Sequence, residues 1–300
     1  MRRYCVIGLL ALLLSATVTG AAAQDKGTGK AKKKAGEICI TFDELPASQA
    51  FGEVDREAVT YLLLQALKKH NVKAAGFVVG QQIDGSYDIL GQWLNDGHLL
   101  GSMTLSNQDL HQLGIEQFIS DISAGHEALE TMLSGFGQKK RYFRYPFLHY
   151  GNTVESKRQV KLYLEEFNIT PVHATVVIED YLFNLSLEKM GKLPDSAAYE
   201  NLMNEYINHV IDEIEKSKRL AKEVLKRSCR HILRLKANRL NAVYLDEMLT
   251  ALEGMGYKFI SLDRALKDEL YSAPEAYFGP RGVSYIEMIK QSDMDLLPAE

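Results

Sequence analysis

Cysteine is scarce in this 300-residue chain: there are three, and none stands in the paired spacing of a cysteine-held zinc site. A disulfide-stapled small domain and a zinc ribbon are both excluded. Cys39 and Cys229 read as buried free thiols, with a disulfide between them as the alternative in an oxidising compartment. A basic excess is missing too. Lys and Arg number 35 against 39 Asp and Glu, leaving a formal charge of −4 and a pI near 6.1. Nucleic acid is therefore excluded as the main partner, because nothing neutralises a run of phosphates. Beyond the N-terminal region no apolar run approaches the roughly 20 residues that span a bilayer. No internal repeat is present.

What the chain does have begins at its N-terminus. Arg2 and Arg3 precede an apolar run over residues 4–14, and Ala21, Ala22 and Ala23 follow. That is the order of a secretory signal peptide over residues 1–23, an uncleaved anchor being the alternative. Cys5 lies ahead of the apolar run, where a lipidated cysteine does not belong. Residues 24–36 carry Lys30, Lys32, Lys33 and Lys34 and read as a flexible basic linker, or as an electrostatic attachment to an anionic surface. Removal of the leader takes the formal charge from −4 to −6, since it holds two basic residues and no acidic one. The expected product is secreted or periplasmic, with no stable membrane span. Its 46% hydrophobic content suffices for one large core over residues 37–300.

From residue 37 onward, strand-like and helix-like stretches alternate. Residues 38–42 form a short β-prone run expected to stop at Asp43, and 74–79, 99–103, 142–144, 173–178, 231–235 and 258–261 read as further strands. Helical spacing marks 56–70, with Val59, Leu62, Leu63 and Leu67 inward. It also marks 89–95, 153–167, 242–253, and 115–134 with Phe118, Ile122, Leu129 and Met132 inward. Residues 196–227 form a long, charged amphipathic helix. Repeated βα units imply parallel strands covered by helices, an α/β class whose chemistry gathers at the C-terminal strand ends.

At the first such end, Thr41-Phe42-Asp43-Glu44-Leu45-Pro46 sets two carboxylates side by side, costly unless a cation or strong donors offset their repulsion. Met103-Thr104-Leu105-Ser106-Asn107 follows the third strand. Arg144-Tyr145-Pro146-Phe147, Glu179-Asp180-Tyr181 and Leu233-Arg234-Leu235-Lys236-Ala237-Asn238 come later. In this order and spacing the chain resembles the polysaccharide deacetylases, carbohydrate esterase family 4 or the NodB-homology family. The resemblance runs from about Cys39 to Ile286 and is nearest to bacterial members reading Thr-Phe-Asp-Asp-Leu-Pro at the first motif. Leu240-Asn241-Ala242, Gly256-Tyr257-Lys258-Phe259-Ile260-Ser261-Leu262 and Gly282-Val283-Ser284-Tyr285 fit that subgroup as well.

The resemblance implies a distorted (β/α) barrel, here with one long additional helix. It also implies hydrolytic removal of acetyl groups from N-acetyl sugars or acetylated polysaccharide, using one divalent metal, commonly zinc. In such a site the metal lowers the pKa of bound water and polarises the carbonyl, while a carboxylate and an imidazole move protons. Asp43 matches the family's general base and Arg144 the arginine that orients it. Glu44 stands at the metal-binding aspartate, Met103 and Asn107 at the two ligand histidines, and Lys236 at the general-acid histidine. A thioether and an amide do not replace imidazole for zinc, so no bound cofactor is expected and catalysis is expected to be impaired or lost. In the fourth motif Val177 replaces an early aspartate, Asp180 persists and Tyr181 replaces tryptophan. Pro146, Phe147, Asp180 and Tyr181 are expected to line the substrate cleft. Lys236 is expected either to pair with the adjacent carboxylates in place of the metal or to extend into solvent.

The implied partner is a carbohydrate or cell-envelope glycan. Two rivals remain: an active hydrolase with a remodelled or metal-free site, and a non-enzymatic glycan-binding or scaffold protein of the cell envelope. Among the remaining candidates, His98 in its turn reads as surface, His111 as a solvated loop residue and His173 as a satisfied structural histidine. His149 is open between cleft and surface. A metal site rebuilt from Asp43, Glu44 and one of these is a weak alternative. Trp93 reads as core, Tyr150 and Tyr181 as cleft walls, and the sequons at Asn168 and Asn184 as chance.

Overall fold

A computed structural model describes residues 36–49, 55–191 and 196–295. The leader assigned to residues 1–23 and the linker up to residue 35 lie outside the described residues. Eight strands are β1 (Gly36–Leu45), β2 (Ala75–Val78), β3 (Leu99–Ser102), β4 (Arg141–Phe143), β5 (Ile169–Pro171), β6 (Val176–Val177), β7 (His231–Lys236) and β8 (Tyr257–Phe259). The α-helices are α1 (Arg56–Lys69), α2 (Tyr87–Asn95), α3 (Leu110–Leu113), α4 (Ile115–Gly135), α5 (Val154–Glu166), α6 (Asp180–Lys189), α7 (Ser196–Leu225), α8 (Arg239–Gly254), α9 (Leu262–Ala265) and α10 (Tyr285–Asp295). Every strand pairing is parallel, in the order β5-β4-β3-β2-β1-β7-β6, with β8 beside the start of β1. The sheet curls into a half-barrel with helices around it, the distorted (β/α) barrel that the motifs imply.

Side-chain alternation along β1 divides the interior. Ile38, Ile40 and Phe42 face the helices, packing with Leu63 and Leu67 of α1 and Leu245 and Met248 of α8. Phe42 meets the Trp93 ring edge-on at 5.9 Å. Cys39 points the other way, into a cluster with Phe77, Met103, Tyr142 and Ile232, and Thr41 and Asp43 share its face. Both cysteines are free and buried, and burial pushes each thiol up to about 12, so neither ionises readily. Helix α7 buries a stripe of Leu202, Tyr206, Val210, Ile214 and Ala221 at helical spacing. Among the described residues no helix is long and apolar enough to cross a membrane.

Several local expectations are corrected. β1 does not stop at Asp43: that residue pairs with Lys236 on one side and Phe77 on the other, and the ladder shifts only between Asp43 and Leu45. β5 and α6 escape periodicity because one is three residues ending in proline and the other buries only Asp180, Asn184 and Leu187. His173 precedes β6 rather than starting it. Leu62 faces outward, 43% exposed, so the inner face of α1 is carried by Val59, Leu63, Leu64 and Leu67. Asn184 is buried with its Oδ1 accepting from Leu240 N at 2.9 Å, which leaves the folded protein no glycan acceptor there.

His98 is not a surface residue. It is buried against the Trp93 ring, and its Nδ1 accepts from Ala74 N at 3.1 Å. Burial, helped by Lys73, lowers its pKa to about 4. The unfolded chain takes up a proton near pH 6.5 while the fold does not, so this residue's contribution is intact above pH 6.5 and fades as the pH falls toward 4. His98→Asn keeps an acceptor without the titration. Between pH 7 and pH 5 the wild type should lose about 2 kcal/mol more stability than this variant, read from urea denaturation at both pH values.

Candidate active site

The inward face of β1 delivers Asp43, fully buried, between two guanidinium groups. From the neighbouring strand β7, Arg234 Nε donates to Asp43 Oδ2 at 2.5 Å. From the end of β4, Arg144 places Nη1 3.7 Å from Asp43 Oδ1, close enough to attract but not to hydrogen-bond, and Oδ1 has no hydrogen-bond partner. Arg144 Nη2 instead donates to Thr41 Oγ1 at 3.1 Å, and that hydroxyl donates to Leu233 O at 2.8 Å. The guanidinium lies 4.5 Å from the centroid of the Phe77 ring. Burial lowers the pKa of Arg144, with Asp43 opposing; at Arg234 burial also works downward, and the Asp43 carboxylate outweighs it.

Glu44 sits at the irregularity in β1 with φ 63°, a conformation non-glycine residues seldom adopt. Both of its carboxylate oxygens are engaged: Oε1 takes a charged hydrogen bond from Lys236 Nζ and Oε2 one from Ser48 Oγ. Ser48 is fixed in turn, its N–H donating to Ala237 O at 2.6 Å. The pair is largely shielded, with side chains 14% exposed for Lys236 and 7% for Glu44. The end of β7 is braced from below by Asp180, whose Oδ2 accepts from Lys236 N at 2.6 Å and Asn241 Nδ2 at 2.7 Å. Asn241 Nδ2 also reaches Lys236 O at 2.8 Å, and Tyr206 Oη donates to its Oδ1 at 2.5 Å. Burial pushes the Asp180 carboxyl up in spite of these donors. At 1% exposure Asp180 serves this brace rather than a cleft wall.

Glu44, Met103 and Asn107, at the expected ligand positions, have different surroundings. The carboxylate is committed to an internal ammonium and a hydroxyl, and Met103 is fully buried among Cys39, Phe77 and Tyr142. Asn107 offers one buried amide oxygen without a partner. One soft neutral sulfur and one weak oxygen supply no imidazole-like donor. The loop between Met103 and Asn107 is nonetheless tightly held. Leu105 N donates to Asp121 O at 3.0 Å and Ser106 Oγ to Asp121 Oδ2 at 2.7 Å. A Cβ on Gly125 of α4 would come within 2.4 Å of Thr104 carbon, so only glycine allows that approach.

Phe147 (48% exposed) and Tyr181 (43%) present open aromatic faces after β4 and β6, while Pro146 is buried. Tyr150 is largely buried in an aromatic cluster with Tyr145, His173 and Tyr285, and with them it lines a cavity. His173 is half-buried there with Nδ1 unpartnered, so it is not the satisfied histidine expected. His111 and His149 stack 4.3 Å apart, and His149 Nδ1 donates to Asp109 Oδ1 at 2.8 Å. His111 is therefore packed rather than solvated, its side chain 11% exposed.

Parallel strands, the two-carboxylate strand end and the motif loops after β3, β4 and β7 now stand together, and a sequence model described as polysaccharide deacetylase matches residues 30–164. Over these residues the chain is of the polysaccharide deacetylase family. It is 23% identical over 241 residues to an uncharacterised 30.6 kDa protein of Geobacillus stearothermophilus, covering 80% of this chain and 75% of that one. A Bacillus cereus peptidoglycan-N-acetylglucosamine deacetylase is 31% identical over 121 residues, 40% of this chain and only 38% of that protein. Among solved structures, a Bacillus anthracis protein described as a CE4 family pseudoenzyme superimposes with TM-score 0.51 at 16% identity, covering 79% of this chain and 66% of that one. That likeness bears on the fold.

Against the family's motif positions, the residues missed from sequence are those that hold the altered ones. Arg234 lies two residues before Lys236 and so shares its face of β7, a period-two signal that places it beside Asp43. Ser48 and Asn241 carry no such signal, because Ser48 depends on the loop after β1 and Asn241 on how the first turn of α8 meets α6 and the end of β7.

Proposed function

We propose that this protein of polysaccharide deacetylase type has lost the zinc-dependent reaction and recognises carbohydrate of the cell envelope without efficient turnover. The observation that carries the reading is the Lys236 ammonium on Glu44, an internal cation held by the carboxylate that the family would use for its metal. Asp43 and Arg144 support it from the other side. Both are fully buried, and Asp43 Oδ2 is held by Arg234, so the base lacks the open approach to a water that hydrolysis needs. Recognition then falls to Phe147 and Tyr181, which offer the flat apolar faces on which sugar rings stack. Export by the leader over residues 1–23 would bring the protein to such a glycan, and the Bacillus cereus relative is by name a peptidoglycan deacetylase.

The test is acetate release from N-acetylglucosamine oligomers and from peptidoglycan, with and without added zinc, alongside sedimentation with insoluble peptidoglycan. No acetate above buffer is expected, together with co-sedimentation that survives EDTA. The double variant F147A/Y181A should weaken that binding roughly tenfold, the loss of two stacking contacts of about 0.5–1.5 kcal/mol each. Acetate release abolished by Asp43→Ala would overturn this reading in favour of an active, remodelled hydrolase.

A further inference from the structure

We infer that Asp109, His111 and His149 form a divalent transition-metal site, with zinc as the fitting ion, separate from the family's ligand positions. Asp109 caps α3 and His111 lies within it, while His149 comes from the segment after β4, each offering a ligand atom within 4.8 Å of the others. They are sheltered but reachable, with side chains 12%, 11% and 21% exposed respectively. Asp109 Oδ1 is occupied, accepting from His111 N at 2.9 Å and from His149 Nδ1, which leaves its second oxygen for an ion. His111 Nε2 is buried with no hydrogen-bond partner. One carboxylate and two imidazoles are the hard and borderline donors that zinc takes, which Met103 and Asn107 are not.

The geometry also says what binding must change. The imidazole rings are parallel within 8° at 4.3 Å, and the in-plane lone pairs of stacked rings do not meet at one point. One ring has to turn about its Cβ–Cγ bond, and His149, the more exposed, is the one free to do so. Three protein donors leave a fourth zinc position open to water or to a ligand oxygen. An ion there would tie the two segments together beside the exposed Phe147 ring, 5.9 Å from His149. This inference does not rest on the loss of catalysis, and its readout is binding rather than turnover.

The experiment uses the untagged protein, stripped with EDTA and titrated with zinc by calorimetry and with cobalt by visible absorption. One ion per chain is expected, with shifts of the His111 and His149 imidazole NMR signals on zinc addition. His111→Phe and His149→Phe keep a flat ring in the stack, so each should preserve the fold while weakening zinc by at least roughly tenfold. Met103→Ala should leave the affinity unchanged. Absence of a stoichiometric ion in the wild type, or affinity retained in the double phenylalanine variant, would overturn the site.

Discussion

Asp43→Ala will destabilise the fold by about 3–5 kcal/mol, the cost of leaving buried charge without its partner. In an open catalytic cleft the same change commonly leaves stability intact or improves it, because catalytic groups are held against the preferences of the fold. Here the carboxylate is fully buried and faces both Arg144 and Arg234, of which Arg144 is itself fully buried. Without it two guanidinium groups confront each other, and Arg144, already short of partners at Nε and Nη1, has only Thr41 and the Phe77 ring left. For a domain of this size each kcal/mol moves the melting temperature by about 2–4 °C, so a fall of roughly 10 °C is expected. Asp43→Asn keeps the shape and an oxygen for Arg234 but no charge, and should fall between wild type and alanine. Urea denaturation followed by circular dichroism measures all three. An alanine variant as stable as wild type would mean that the carboxylate is retained for chemistry.

Part of this was legible in the chain itself. The parallel, helix-covered sheet followed from strand-helix alternation, which depends on residues close in sequence, and the distorted barrel from the family resemblance. Neighbours joined across the fold were not legible. Arg234 meets Asp43 over 191 positions and Lys236 meets Glu44 over 192, and only the β1–β7 register, Asp43 opposite Lys236, brings them together. Burial of His98 was missed for a related reason. Its turn reads as polar, but the Trp93 ring from the preceding helix closes over it, and the free Ala74 N–H needs an acceptor there. Asp180 was read as a cleft wall from its motif, whereas helix α6, invisible to periodicity, turns it inward onto the end of β7.

Lys236→Met should destabilise the protein by about 3 kcal/mol, because it strands the Glu44 carboxylate at 7% exposure with only Ser48 as a donor. Glu44→Gln should cost a similar amount by stranding the ammonium. The double variant is the decisive one. Replacing both members of a shielded pair is often near neutral, so it should be more stable than the sum of the single changes allows, with a coupling of about 1–3 kcal/mol. Raising the salt concentration should alter that coupling little, since ions screen exposed pairs far more than shielded ones. Additive single effects would mean that Lys236 contributes only its aliphatic stem and that the internal cation has no structural role. Zinc should not rescue Lys236→Met: freeing Glu44 restores one oxygen donor, while Met103 stays inside its apolar cluster and Asn107 still offers only an amide. On the proposed reading the ammonium supplies an ion's charge but not its chemistry, and removing it is expected to expose a carboxylate without recreating a metal site.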